Sequence, residues 1–196
     1  KDGKITALHC HTTADHGAFD ACADPTKFPA GFMNICTGSY DIPTAYLAVD
    51  GIYTNKAPGG VAYRCSFRVT EAAYFIERMI EVLAIKLNMD AAELRSKNFI
   101  KKEQFPYQSA LGWEYDSGDY HTGWEKALKA VGYEDLRKEQ TERVEAFKRG
   151  ETRKLLGIGL SHFTEIVGAG PVKNCDILGL GMFDSCEIRI HPTGSA

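Results

Sequence analysis

At 196 residues and 21.6 kDa the chain is long enough for one mid-sized domain, or parts of two, around a real hydrophobic core. Hydrophobic residues make up 44% and charged residues 25%, which excludes a disordered tail, a collagen-like repeat and a coiled coil. The formal net charge of −3 gives no basic excess to track a phosphate backbone, so nucleic acid is not an expected partner. No apolar run reaches the ~20 residues a membrane helix needs. Six cysteines occur without a C-x-x-C pair, and no secretory signal opens the chain. The thiols are therefore read as reduced, most of them as small buried residues, and the compartment as cytoplasmic.

Residues 4–13 alternate as in a strand, with Ile5, Ala7, His9 and His11 on one face and Leu8, Cys10 and Thr12 on the other. Residues 15–41 form a Gly-, Pro- and Asp-rich excursion, followed by a short apolar strand at 43–51 and a glycine-containing loop at 54–68. From Thr70, a plausible N-cap, Ala73, Ile76, Ile80, Leu83 and Leu87 recur at helical spacing. Asp90 caps a second helix over 91–97. Residues 105–119 read as a connection between two lobes. Helices follow over 122–131 and 133–149, the latter strongly charged. Strands are expected over 154–167 and 185–191, the last running into a Pro192-Thr193-Gly194-Ser195 turn. The fold class is α+β with segregated elements. Both ends read as cut, the pattern of an internal piece of a longer chain.

Three clusters could carry chemistry. His9, Cys10, His11, His16 and Cys22 lie close in sequence, but paired cysteines at zinc spacing are missing, so strand histidines are the simpler reading. Gly157-Ile158-Gly159 and Gly168-Ala169-Gly170 both lack the third glycine of a dinucleotide fingerprint, with His162 and Lys173 in its place. They read as turns or close backbone contacts. The third cluster is Gly59 to Arg68 (GGVAYRCSFR), directly before the helix at 70. Arg64, Arg68 and a nearby helix N-terminus all favour a thiolate at Cys65. Glu71 occupies the position where a tyrosine-phosphatase loop needs arginine, which excludes that chemistry. A lone thiolate suits a soft, low-coordinate ion such as Cu(I) better than tetrahedral zinc. A buried packing role for Cys65 fits the residue type equally well.

The string AYRCSFR (62–68) closely resembles the active-site loop of the large, molybdenum-binding subunits of aerobic, Mo–Cu carbon monoxide dehydrogenases, in the xanthine oxidase family. The stretches 12–43, 163–171 (FTEIVGAGP) and 187–195 (EIRIHPTGS) resemble the same subunit, so the likeness covers essentially the whole chain. It implies parts of two molybdenum-cofactor-binding lobes: 1–100, with the active-site loop at 59–68, and 101–196, the start of the second. By that resemblance Cys65 is the copper ligand. Tyr63, Arg64, Ser66 and Phe67 shape the pocket at the cofactor, with Phe67 near the substrate channel. The implied cofactors are molybdopterin cytosine dinucleotide and Cu(I), with 2Fe-2S clusters and FAD on partner subunits. The implied reaction oxidises CO with water to CO2, passing electrons through the iron–sulfur and flavin subunits to a quinone.

The resemblance further implies a dimer of heterotrimers, cytoplasmic or peripheral at the inner face of the cytoplasmic membrane. Related enzymes carry glycine in place of Cys65, so a molybdenum hydroxylase acting on an aldehyde or heterocycle is the neighbouring reading. A non-catalytic domain with a structural cysteine is the reading from another class. Other cofactor-gripping segments and the general base of the family lie outside this stretch, so the piece alone is expected to be inactive.

Overall fold

The computed structural model describes residues 2–19, 33–57, 69–164 and 185–195. It divides into two compact units, Lys1–Thr164 and Glu165–Ala196. The architecture of the first is mixed helix and strand. Strands β1 (Leu8–Asp15) and β2 (Ala45–Ile52) pair in parallel, with Cys10 opposite Leu47 and Thr12 opposite Val49. Cys10, Ala14 and Leu47 point into the core, while His9, His11 and Tyr46 face outward. The expected alternation therefore holds, but β1 begins four residues later than the pattern at Lys4. Residues 2–7 are held instead by a side chain: Asn98, fully buried, donates to Gly3 O and Leu94 O at 2.8 Å and accepts from Ile5 N at 2.8 Å. Gly3 is required there, since its φ is +86° and an added Cβ would meet Met89 Sδ at 2.8 Å.

Helix α1 (Val69–Leu87) buries Ala72, Ile76, Ile80 and Ala84, a stripe repeating every four residues. Ala73, Leu83 and Leu87 from the expected stripe sit only half-buried on its flank. Thr70 is not the cap; it lies inside the helix, with its hydroxyl on Glu71 Oε2 at 2.7 Å. Helix α2 (Ala91–Asn98) starts as its sequence predicts, with Asp90 Oδ1 accepting from Ala92 N and Glu93 N. Such a cap contributes about 1 kcal/mol. Within the 105–119 connection, β3 (Tyr107–Gln108) and β4 (Glu114–Tyr115) form a small antiparallel pair. Helices α3 (Tyr120–Val131) and α4 (Tyr133–Lys148) meet at Gly132, whose left-handed φ of 67° ends the first and begins the second.

The aromatic centre of this unit is Phe99. It stacks on Tyr40 at 5.4 Å and takes Trp124, His121 and His162 on its other sides, His162 at 4.6 Å. Two expected strands are corrected. Residues 154–164 make no ladder and form an irregular strap, and 185–190 likewise show no strand. Alternation supplies only a two-faced pattern; a strand also needs a partner for its N–H and C=O groups, and neither segment pairs with a described strand. In the second unit, 185–190 is exposed and the expected turn is present, closed by His191 N to Ser195 O at 2.7 Å. Among the described residues no helix is long and apolar enough to cross a membrane.

Candidate functional site

Cys65, Tyr63, Arg64, Ser66 and Phe67 lie outside the described residues, as do Cys22, Gly168 and Gly170. What the structure does describe is how each end of the Cys65 loop is held. On the entry side, Asp15 at the end of β1 clasps the chain that leaves β2. Its Oδ1 accepts from Gly17 N at 2.9 Å and Thr54 Oγ1 at 2.8 Å, and its Oδ2 takes Lys56 Nζ at 3.0 Å. Three backbone bonds extend the pairing beyond the strands: His16 N to Ile52 O, Thr54 N to Gly17 O and Ala18 N to Lys56 O. The Gly17 N–H, with Thr54 and Lys56, holds the Asp15 carboxyl down at about 2.

On the exit side the chain passes into α1 at Val69, four residues after Cys65. Helix α1 is fixed in turn by a buried polar node. Arg95 is fully buried on α2. Its Nε donates to Glu77 Oε2 at 2.9 Å, its Nη1 to Ala91 O at 3.0 Å and its Nη2 to Leu160 O at 2.9 Å. Glu81 Oε1 adds an ionic contact at 2.9 Å from Nη1, outside hydrogen-bond geometry. Glu77 also accepts from the Tyr40 hydroxyl and, through Oε2, from His162 N at 3.1 Å. The His162 ring pairs its Nδ1 with Ser39 Oγ at 2.9 Å.

Charge and burial shift three titratable groups at this node. Burial opposes the charge of Arg95, but Glu77, with Tyr40 and Glu81, outweighs it and raises its pKa. Burial, with Glu77 beside it, pushes the Tyr40 hydroxyl far above its ordinary range. Burial first, then the Arg95 charge, lowers His162 and holds the imidazole neutral near pH 7. Removing one partner of such a pair strands the other charge in the interior, at about 3–5 kcal/mol.

The other sequence candidates are dispersed. His11 Nε2 meets Asp50 Oδ2 at 2.6 Å on the outer sheet face, His9 lies edge-on to Tyr46 at 5.1 Å, and His16 lies against Tyr53 at 5.9 Å. Cys10 points the opposite way, into the core, with its Sγ 3.2 Å from Thr12 Oγ1. Burial, then neighbouring Cys10, raises the Cys36 thiol well above its usual value, so it is a packing residue. Among the described residues no three His, Cys, Asp or Glu side chains converge as metal ligands. Gly157 and Gly159 have nothing within 4 Å of an added Cβ, which corrects the expectation of close backbone contacts there. The Glu77–Arg95 node went unread in the sequence. Its one signal is Glu77 adjoining Ile76 in the apolar stripe of α1, a charge on a face that buries its neighbours.

Residues 1–99 match the model of the molybdopterin cofactor-binding domain family. The carbon monoxide dehydrogenase large chain of Afipia carboxidovorans is 73% identical over 195 residues, all of this chain and 24% of its own length. That of Hydrogenophaga pseudoflava is 70% identical over 197 residues, again all of this chain and 24% of its own length. The chain thus spans about a quarter of the length of these relatives. Among solved structures, a crystal structure of Cu,Mo-CO dehydrogenase in its carbon monoxide-reduced state aligns with a TM-score of 0.88 and 73% identity, covering 99% of this chain and 24% of that one.

Proposed function

Because the chain belongs to the molybdopterin cofactor-binding domain family, we propose that it is a piece of the catalytic subunit of an aerobic carbon monoxide dehydrogenase. The observation that carries this reading is a cysteine at position 65, within AYRCSFR, in a chain 73% identical over its given length to a quarter of such a subunit. The lobes divide near residue 100, a boundary supported by the end of the family match at residue 99.

The donor set fits the cofactors. A single thiolate is a soft ligand suited to Cu(I) and poorly suited to a four-coordinate hard ion. The N-terminus of α1, four residues past Cys65, favours its ionised form, as does the adjoining Arg64 guanidinium. When bound, the cofactors supply a soft Lewis acid for CO in Cu(I) and a two-electron acceptor in molybdopterin cytosine dinucleotide. Cys65 would hold the copper through its thiolate, and the copper would bind CO there. By the resemblance Arg64 would favour the thiolate, Tyr63 and Ser66 would shape the pocket, and Phe67 would stand near the substrate channel. The described residues on either side of the loop are held, by Asp15 on one side and the α1 node on the other.

The overall reaction takes CO and water to CO2 with two protons and two electrons. The electrons leave through 2Fe-2S clusters and FAD on partner subunits to a quinone. The assembly is a dimer of heterotrimers, cytoplasmic or held at the inner membrane face. The chain alone, a quarter of its relatives' length, does not turn over.

The test is CO-dependent dye reduction by the purified full-length parent complex beside its Cys65→Ser variant. Activity in the parent and none in the variant supports the reading. A parent that holds molybdenum and copper yet ignores CO, while oxidising an aldehyde or heterocycle, overturns it in favour of a hydroxylase.

A further inference from the structure

The strap at 154–164 has neither helix nor ladder, yet its backbone is held at three points by buried or half-buried side chains. Gln140 Nε2 donates to Leu156 O at 2.9 Å, Arg95 Nη2 to Leu160 O at 2.9 Å, and Glu77 Oε2 accepts from His162 N at 3.1 Å. Two of those three belong to one ion pair, and that pair is also what grips α1. Glu77 sits on α1, Arg95 reaches it from α2, and the same guanidinium spans 65 residues of sequence to the strap. Resting on the function proposed above, we propose that Glu77 and Arg95 are positioning residues. Their ion pair fixes α1, and with it Val69, where the Cys65 loop ends, in register with the strap at 154–164.

The physical case has three parts. First, the pair is dry: Arg95 is 0% and Glu77 5% exposed, so water cannot substitute for a lost contact. Second, its geometry is discrete. The planar fork makes five contacts in fixed directions, and Glu77 Oε2 is shared with His162 N, so displacing α1 along its axis would break the bond to Arg95 and the tie to the strap together. Third, stability alone does not call for it. An apolar pair of similar volume would serve packing as well or better, whereas a buried, multiply bonded ion pair specifies one arrangement. Outer-shell groups that orient a metal ligand act in this way, through the segment carrying the ligand.

The experiment uses the full-length parent complex with its partner subunits and cofactors. Arg95→Lys keeps the charge but loses the fork, so one ammonium cannot serve both Glu77 and Leu160 O; Glu77→Gln keeps size and loses charge. Hydrogen exchange is measured over the first turns of α1 and over 156–164, together with copper loss to a Cu(I) chelator, molybdenum content, and kcat and KM for CO. The inference predicts that both segments exchange faster together in each variant. Copper leaves about tenfold faster or more, and kcat falls at unchanged molybdenum content. Loosening confined to one segment, or copper loss within about twofold of the parent, overturns it. So does failure of both variants to assemble, which assigns the pair a plain folding role. A parallel Cys65→Ser variant separates the two readings. If it keeps its copper, the copper assignment falls, and paired exchange in α1 and the strap alone decides the positioning role.

Discussion

Asn98→Ala removes one small side chain and, with it, the anchor of residues 2–7. In the native chain Asn98 is fully buried and satisfies Ile5 N, Gly3 O and Leu94 O, each at 2.8 Å. Alanine cannot replace any of these. Two hydrogen bonds to the N-terminal segment are lost, at about 1 kcal/mol each, and the buried Gly3 carbonyl left unpaired adds about 1 kcal/mol more. Two other side-chain ties of that segment are long and exposed, Lys97 Nζ to Asp2 O and Lys4 Nζ to Asp41 Oδ2, both at 3.3 Å. The total of about 3 kcal/mol corresponds to a local opening about a hundredfold more populated. Native-state hydrogen exchange on the full-length parent, read over residues 2–8, is the assay, with α4 as an internal control. Asn98→Asp should be no better, because it sets an acceptor against the Gly3 and Leu94 carbonyls. Exchange over 2–8 within about threefold of the parent would refute the reasoning, since about 0.7 kcal/mol cannot cover the lost bonds.

Two further outcomes follow from the site. Asp15→Asn keeps the shape of the clasp but removes the charge that Lys56 and the Gly17 N–H stabilise; amides over 53–57 should exchange several-fold faster at neutral pH and low salt, and a rate unchanged by salt in the parent would contradict the ionic part of the clasp. His162 has a lowered pKa, from burial and then Arg95, so its contribution to holding the strap is complete above the unfolded value of about 6.5 and is lost as pH falls through the folded one. It faces Arg95, Glu77, Ser39 and Tyr120, and only the first two carry charge at neutral pH. After correction for intrinsic exchange, protection over 156–164 should fall between pH 7 and 5, and His162→Asn should flatten that dependence.

The helices were legible because each announces itself locally. Asp90 caps α2 where expected, and the 122–131 and 133–149 patterns became α3 and α4 with shifts of one or two residues at their ends. Thr70 shows the limit of that logic. A residue suited to capping was placed one position inside the helix, where its hydroxyl turns to Glu71 instead. The strap at 154–164 failed for a different reason: a two-residue period reports which faces differ, not whether a neighbouring strand exists to pair with. Arg95 was the largest omission. In sequence it is an ordinary basic residue near a helix end, and only a contact with Leu160, 65 residues away, reveals that it is buried. The candidate site rests on Cys65 and its flanking arginines, read from residue types within a few positions, and it lies outside the described residues. What grips the two ends of that loop depends on Asp15, Glu77, Arg95 and His162, which no local pattern assembles.

The account turns on the Cys65 thiolate as a copper ligand in a molybdenum enzyme. The most direct measurement is the copper and molybdenum content of the full-length parent complex and of its Cys65→Ser variant, purified side by side. The account predicts copper in step with molybdenum in the parent, and molybdenum without copper in the variant. Equal copper in both proteins would contradict it.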